Sequence, residues 1–217
     1  MIPNKVIYTV SICLILCLSG CSSFLEEIPR SSLAATNFYK TEKDAEAAVI
    51  FSYADLPSIY NFNHCLVADI ASDNFQLTTA GSGSGTGAFG LFAWNSSTVN
   101  LQAVWYSHYN AIANANAGLE QIPLIEGNRQ HLNQLMGELY FLRSLYYFNL
   151  VRIFGDVPLI LVLLTAEDDL QSAKTPKAEV YDQIINDLNV AADLLPDNPL
   201  NLGRADKYAA KSLLANV

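Results

Sequence analysis

Residues 131–159 read HLNQLMGELYFLRSLYYFNLVRIFGDVPL, and this stretch decides the fold. Apolar side chains recur every three or four positions up to residue 154 and cover most sides of the helix that such spacing predicts. A helix that is apolar nearly all round lies buried inside a protein. Gly155 and Pro158 predict where it ends, because glycine favours a helix C-terminus and proline cannot continue the helix.

Helical patterns also flank this central segment. Apolar residues at helical spacing over residues 99–122 predict an amphipathic helix that a proline ends. Residues 180–195 carry a second regular stripe. Thr175 and Pro176 before it predict an N-cap followed by proline at the first helical position. A last helix is expected to begin near Ala205 and to continue to the end of the sequence.

An earlier helix is predicted by a capping box, in which Thr41 precedes Asp44 by one helical turn. Residues 78–90 are rich in Gly, Ser and Thr and predict a flexible loop without core residues. The apolar run 157–164 fits either a short strand or a buried segment that crosses between helices. Consecutive helices joined by short loops predict an all-α fold of stacked helical hairpins, although no clean repeat of tetratricopeptide length is visible.

Two charged residues, Glu138 and Arg143, interrupt the apolar central helix. Their spacing is wrong for an ion pair along one helix, which needs residues three or four apart. We expect each to meet a partner from a neighbouring helix and to fix packing rather than to catalyse. The aromatic stripe formed by Tyr140, Tyr146 and Tyr147 is expected to belong to the core.

Residues 1–20 read as an export signal: a lysine, a short apolar run and small residues precede Cys21. The run is too short to span a bilayer. This pattern predicts a lipoprotein signal peptide with lipid attachment at Cys21, and a secretory signal with ordinary cleavage or an N-terminal membrane helix are the alternatives. Residues 21–36 are then a tether, and Cys65 is the remaining thiol, expected as a small buried apolar residue.

Charge and motifs argue against several classes of function. A net charge of −9 argues against nucleic-acid binding, which needs basic patches. Residues 85–90, GTGAFG, match the dinucleotide fingerprint in form only, because no predicted strand precedes them and no helix opens from them, and no phosphate-loop lysine follows. His64, His108 and His131 are scattered along the sequence. We therefore expect no cofactor, no metal site and no enzymatic activity.

Several stretches together resemble the SusD/RagB family of outer-membrane nutrient-binding lipoproteins. The most specific is residues 137–159, within the stretch quoted above. The others follow the family's order, at residues 24–29, 37–48, 105–116, 181–196 and 203–211. The resemblance therefore extends over essentially the whole chain after Cys21.

The resemblance implies a tetratricopeptide-like helical domain over residues 37–217, incomplete at its C-terminus because family members usually continue further. It implies attachment to the outer membrane through Cys21, facing the cell exterior. It also implies a non-catalytic protein that captures a nutrient, often a glycan or oligosaccharide, and works with a TonB-dependent transporter of the SusC/RagA class. The alternative is a helical scaffold lipoprotein that acts mainly through protein–protein contacts.

Glycan binding needs flat aromatic faces for the sugar rings and amides or carboxylates for the hydroxyls. Phe92, Trp94 and Asn95 supply both types after the Gly/Ser-rich loop, and the sugar-contacting aromatic residue of the family lies in this region. The alternative is that Trp94 is a packing anchor, because tryptophan is often largely buried. Tyr60 is a second, weaker candidate for sugar contact.

Overall fold

A computed structural model of the chain describes residues 38–70, 72, 87–164, 172–199 and 201–217. The predicted signal peptide, Cys21 and the predicted tether lie outside these ranges. The α-helices of the described part are α1 Glu42–Ala54, α2 Leu56–Ile59, α3 Phe62–Cys65, α4 Gly87–Gly90, α5 Val99–Gln121, α6 Arg129–Phe154, α7 Lys177–Leu194 and α8 Lys207–Leu214. A π-helical turn, Leu66–Ile70, follows α3, and a 3-10 turn, Ile122–Leu124, follows α5. The same ranges hold no β-strand and one isolated bridge, between Val157 and Thr175.

Helix α6 is the central element, as predicted. It packs against α1, α5 and α7, and α7 packs in turn against α8. The consecutive pairs α5–α6 and α7–α8 are helical hairpins, which confirms the predicted all-α fold. Helix α6 contributes these buried apolar residues to the core: Leu132, Leu135, Leu139, Leu142, Tyr146, Tyr147, Phe148, Leu150 and Val151.

Helices α5 and α6 approach closely at Gly118. A Cβ atom added to Gly118 would overlap the buried side chain of Leu139. A glycine therefore leaves the space that Leu139 fills, and the two helices interlock there.

The ends of α1 and α6 follow the predictions. The Thr41 side chain accepts a hydrogen bond from the Asp44 backbone N–H (3.3 Å), and the Asp44 carboxylate accepts one from the Thr41 N–H (2.7 Å). This reciprocal pair is the predicted capping box. Gly155 ends α6 with φ of 74°, a conformation that a residue with a Cβ rarely adopts.

The start of α7 differs from the prediction by one residue. Thr175 is not the N-cap: its hydroxyl accepts from the Leu159 N–H (3.3 Å), and its own N–H donates to the carbonyl of Val157 (3.0 Å) in the isolated bridge. Pro176 takes the N-cap position, and its side chain has no hydrogen-bonding group. The Asp156 carboxylate supplies the cap instead, because it accepts a hydrogen bond from the Lys177 N–H (3.0 Å). This hydrogen bond, with one from Lys174, holds the pKa of Asp156 below its usual value.

Residues 157–164 form a crossing segment rather than a strand. The hydroxyl of Tyr147 donates to the Ile160 carbonyl (2.8 Å) and accepts from the Ile160 N–H (2.7 Å). Tyr109 donates to the carbonyl of Pro158 (2.8 Å), and Asn116 donates to that of Ile160 (2.9 Å). The crossing segment is therefore fixed by side chains of α5 and α6. Burial raises the pKa of Tyr147 to about 12, so the hydroxyl keeps its proton.

The two charged residues of α6 meet partners from other elements, as expected. Arg143 makes a two-point ion pair with Asp187 of α7, through Nε (2.7 Å) and Nη2 (2.9 Å), and both side chains are buried. Glu138 accepts from Nε of Arg204 (2.8 Å), which also donates to Glu46 of α1 (2.7 Å). These pairs tie α6 to α7, to the segment before α8 and to α1. Burial raises the pKa of Glu138, and the bond from Arg204 opposes that shift.

Three expectations about local structure are wrong. Residues 78–86 lie outside the described part, but Gly87–Gly90 form α4, and Phe89 is buried against Leu66, so this stretch does hold a core residue. Helix α8 ends at Leu214 rather than running to the last residue. Cys65 is only partly buried.

None of the helices in the described ranges is long and apolar enough to cross a membrane.

Candidate ligand-binding site

Three aromatic residues cluster around α4 and the turn that follows it. Phe89 is buried, with 1% of its surface exposed, and packs on Leu66. The Trp94 ring stacks on Phe89 with ring centroids 5.7 Å apart and an angle of 19° between the planes. Phe92 lies beside Trp94 at 5.6 Å. Trp94 remains 39% exposed, so the buried Phe89 supports an indole ring that solvent still reaches.

The backbone at Phe92 adopts a rare conformation. Its φ is 53°, in the left-handed region that bulky side chains avoid at a cost of about 1–2 kcal/mol. The turn follows directly from α4, since the Phe92 N–H donates to the Phe89 carbonyl (3.2 Å). This strained turn sets Phe92 and Trp94 on the surface, 68% and 39% exposed. Strain of this kind is common where side chains are presented to ligands.

The segment after Trp94 is fixed by its own hydrogen bonds. The Asn95 N–H donates to the hydroxyl of Thr98 (3.0 Å), and the Asn95 side-chain oxygen accepts from the Ser97 N–H (2.9 Å). Gln102 of α5 donates to the carbonyl of Ser96 (2.9 Å). The start of α5 therefore holds the backbone next to Trp94 in place.

A cavity of about 370 Å³ lies against this aromatic cluster. Volumes of this size are typical of small-molecule sites. Phe89, Trp94 and Phe154 give it aromatic walls. Its polar lining residues are His64, Asn149 and Arg152, and its aliphatic ones are Val67, Ala68, Leu101 and Ile153.

A second cavity, of about 460 Å³, adjoins the first and shares Trp94, Leu101 and Phe154 with it. It is more aromatic, because Trp105 and Tyr106 of α5 also line it. Its polar lining residues are Asn95, Ser96 and Gln102. Trp94 therefore borders both cavities.

The structure brings the four residues singled out for ligand contact into one region. Trp94 lines both cavities, Asn95 lines the second, and Phe92 packs beside Trp94. Tyr60 stands behind the first cavity. Its hydroxyl accepts from Asn149 (2.9 Å), and its ring meets the edge of His64 at 5.1 Å. Contact with a ligand remains a prediction for all four.

Two of the histidines are not scattered in space. The rings of His64 and His108 stack with centroids 6.2 Å apart, whereas His131 lies apart from them, 3.6 Å from Glu46. His108 is fully buried. Its Nδ1 donates to the Val104 carbonyl (2.7 Å), and Nε2 has no hydrogen-bond partner among the residues that the structure describes. Burial lowers the pKa of His108 to about 4 and lowers that of His64 as well.

No group of three or more His, Cys, Asp and Glu side chains within the described ranges is arranged to hold a metal ion. Of the two stacked imidazoles, His64 lines the first cavity, whereas His108 does not and is buried.

Sequence reasoning missed several lining residues. Phe89 was assigned to a loop without core residues, and Asn149, Arg152 and Phe154 were read only as parts of the central helix. A signal did exist for two of them. Asn149 and Arg152 are polar residues one turn apart near the end of a largely apolar helix, and such a pair indicates a face with polar contacts.

Fold and cavity together define a helical scaffold of tetratricopeptide-like hairpins that carries a cavity of small-molecule size. The chain belongs to the SusD-like family: the family model described as "Starch-binding associating with outer membrane" matches residues 23–217. This confirms the family resemblance seen in the sequence.

Curated relatives agree with the family model. SusD-like protein P2 of Formosa agariphila is 32% identical over 95% of this chain and 41% of its own length. A SusD-like protein of Bacteroides ovatus is 27% identical over 92% of this chain and 36% of its own length. The chain thus spans about two fifths of the length of the relatives that it matches.

Solved structures show the same fold. A laminarin-binding SusD-like protein superposes with a TM-score of 0.72 at 29% identity, over 82% of this chain and 40% of that chain. A SusD superfamily protein from Parabacteroides distasonis gives a TM-score of 0.70 at 28% identity, over 85% of this chain and 39% of that one. The tetratricopeptide-like hairpins are therefore the helical part of a SusD-like fold.

Proposed function

We propose that this protein is a cell-surface lipoprotein that captures a glycan or oligosaccharide at the cavities bordered by Trp94 and passes it to a TonB-dependent transporter of the SusC/RagA class. The observation that carries the proposal is the exposed Trp94 ring, stacked on buried Phe89 beside a cavity with a polar lining. Phe92 and Asn95 next to Trp94, and Tyr60 behind the cavity, complete the proposed site.

A sugar ring has an apolar face of C–H groups and an edge of hydroxyls. The first requires a flat aromatic surface, and the second requires directional donors and acceptors. The first cavity offers Trp94 and Phe154 for the face, and Asn149 and Arg152 for the edge. The indole is held by Phe89, so little conformational freedom is lost when a sugar stacks on it.

The length of the site fits an oligosaccharide. Trp94 stands between two adjoining cavities, so a chain of sugars can occupy both while one of its rings stacks on the indole. Family membership supports this proposal, as does the laminarin-binding structure of similar fold.

Placement at the cell surface is part of the same proposal. Cys21 is the proposed lipid attachment site, and the lipid would tether the helical domain to the outer membrane. The family description, which places such proteins in association with that membrane, supports this step. We propose a binding role without catalysis, cofactor or metal.

The test is calorimetric titration of the purified protein with a panel of neutral and charged glycans. We expect at least one glycan to bind and Trp94→Ala to weaken its binding about tenfold or more. A ring of similar size, a nucleobase, gains about 1–3 kcal/mol when it stacks on an aromatic side chain. Tyr208→Ala is the matched control, because Tyr208 is an exposed aromatic of α8 that lines neither cavity. It should leave the affinity unchanged.

Two results would contradict the proposal. One is glycan binding that Trp94→Ala leaves unchanged, which would place the site elsewhere. The other is no glycan binding at all while a transporter protein still co-purifies with the chain from outer membranes. That second result would favour a scaffold that acts through protein contacts.

A further inference from the structure

Arg152 differs from the other arginines that the structure describes. Arg129 donates to the carbonyls of the turn before α6, Arg143 pairs with a buried carboxylate, and Arg204 pairs with two carboxylates. Arg152 has no hydrogen bond and no ion pair within the described ranges. Its guanidinium group therefore has its N–H donors available for a ligand.

The position of Arg152 directs this free group to the first cavity. Arg152 lies exposed on the last turn of α6 and lines the cavity together with Asn149 and Trp94. The guanidinium carbon stands 5.0 Å from the centre of the Phe148 ring. This cation–π contact restrains the side chain without using its hydrogen-bond donors.

Among the residues that the structure describes, no carboxylate lines the first cavity. Burial lowers the pKa of His64, so this neighbour is neutral near pH 7. Asp69 acts on His64 in the opposite direction, towards a higher pKa, and forms no ion pair with Arg152 within the same ranges. The chain as a whole carries −9, but charges further away than about 8 Å are largely screened at physiological ionic strength.

We propose that the glycan captured here carries an acidic group, a uronate carboxylate or a sulfate ester, and that Arg152 binds this group at the edge of the first cavity. A planar guanidinium fork matches two oxygens of a carboxylate or sulfate, which no neutral hydroxyl does as well. Asn149 next to it would contact a neighbouring hydroxyl while a sugar ring stacks on Trp94. This inference rests on the proposed function and specifies its class of ligand.

The experiment compares three glycans: polygalacturonate carries carboxylates, carrageenan carries sulfates, and laminarin is uncharged. Binding to the purified protein is measured by affinity electrophoresis, followed by calorimetry on oligosaccharides of the glycans that bind. We expect an acidic glycan to bind, and Arg152→Gln to weaken it by about tenfold or more, as for a lost hydrogen bond to a charged group. Arg152→Lys should recover only part of the affinity, because lysine keeps the charge and lacks the fork.

Lys211→Gln is the matched control. It removes one positive charge from an exposed position of α8 that lines neither cavity, and it should change the affinity less than about twofold. The carboxylate and sulfate arms tell which acidic group Arg152 recognises.

The inference is overturned if only neutral glycans bind, or if Arg152→Gln leaves the affinity for an acidic glycan within twofold of the wild-type value. In either case the Trp94→Ala variant tests the proposed function independently of Arg152. If Trp94→Ala abolishes binding while Arg152→Gln has no effect, glycan capture at this site is supported and recognition of an acidic group is refuted. If no glycan of either kind binds, both proposals fail.

Discussion

Helix α6 carries two arginines with opposite environments. Arg143, in the middle of the helix, is buried and makes hydrogen bonds to Asp187 and to the side-chain oxygen of Asn116 (2.9 Å). Arg152, on the last turn, is exposed, lines a cavity and forms no ion pair with any other described residue. The same residue type on one helix thus belongs to the scaffold in one case and to the candidate site in the other.

The difference shows how this fold separates stability from ligand contact. Within the hairpins, charged groups are bound to partners from other elements, since an unpaired buried charge would be costly. At the end of α6, Asn149 and Arg152 line the cavity beside the Trp94 cluster; Asn149 is buried and donates to Tyr60, whereas Arg152 is exposed. Substitutions in the first region should therefore change stability, and substitutions in the second should change binding.

The largest effect is expected from breaking the buried ion pair. Asp187→Ala leaves Arg143 charged and unpaired inside the protein, and the free energy of unfolding should fall by about 3–5 kcal/mol. Urea denaturation measures this fall in the free energy of unfolding. Asp197→Ala is the control, because Asp197 forms an ion pair of similar length (2.8 Å) with Lys207 at the surface. A loss at Asp187 as small as that at Asp197 would show that the buried pair does not hold α6 to α7.

The second effect separates the two stacked aromatics of the site. Phe89→Ala removes a buried ring and should lower the free energy of unfolding by about 3 kcal/mol. Trp94→Ala should lower it by only about 1 kcal/mol, the value of an aromatic pair, because much of Trp94 is already exposed. Thermal denaturation of both variants provides the comparison. Equal losses would mean that Trp94 is a packing anchor after all.

A third effect tests the crossing segment 157–164. Tyr147→Phe removes the hydroxyl that bonds both backbone groups of Ile160, and the free energy of unfolding should fall by about 1–3 kcal/mol. Amide hydrogen exchange at Ile160 should become faster at the same time. If exchange there is unchanged, another group holds the segment.

The smallest effect depends on pH. The N–H of Lys177 and the ammonium of Lys174 lower the pKa of Asp156 in the folded state, so its carboxylate stabilises the fold above the unfolded pKa of about 3.9. This contribution is lost as the pH falls through the lower, folded pKa. Asp156→Asn should therefore be less stable than the wild type at pH 7, and the difference should vanish in acid. A difference that persists at pH 2 would contradict an ionised cap.

Much of the scaffold was predictable from the sequence because its signals are local. The capping box at Thr41, the apolar spacing of α5, α6 and α7, and the stop at Gly155 each depend on neighbours along the chain. Even the need of Glu138 and Arg143 for partners followed from their spacing. Which residues would be the partners did not, because Asp187 and Arg204 approach α6 only when the hairpins pack.

The sequence pointed to Phe92, Trp94, Asn95 and Tyr60 in the candidate site but not to the residues that pack around them. Phe89 sits in a Gly/Ser-rich stretch, and its burial depends on Leu66, which reaches it through the tertiary fold. His64 and His108 stack because α3 and α5 lie side by side. The cap of α7 likewise comes from Asp156, 21 residues before Lys177 in the sequence. In each case the deciding contact joins residues that no periodic pattern connects.

Fluorescence of Trp94 in the presence of glycan tests the account most directly. The chain has two tryptophans, so Trp105→Phe leaves Trp94 as the only indole, with circular dichroism to check that the fold is retained. Because Trp105 lines the second cavity, calorimetry must first show that the Trp105→Phe variant binds the glycan. The account predicts that the glycan bound to this variant protects Trp94 from acrylamide quenching and shifts its emission to shorter wavelength. A bound glycan that leaves both the quenching and the emission of Trp94 unchanged would contradict it.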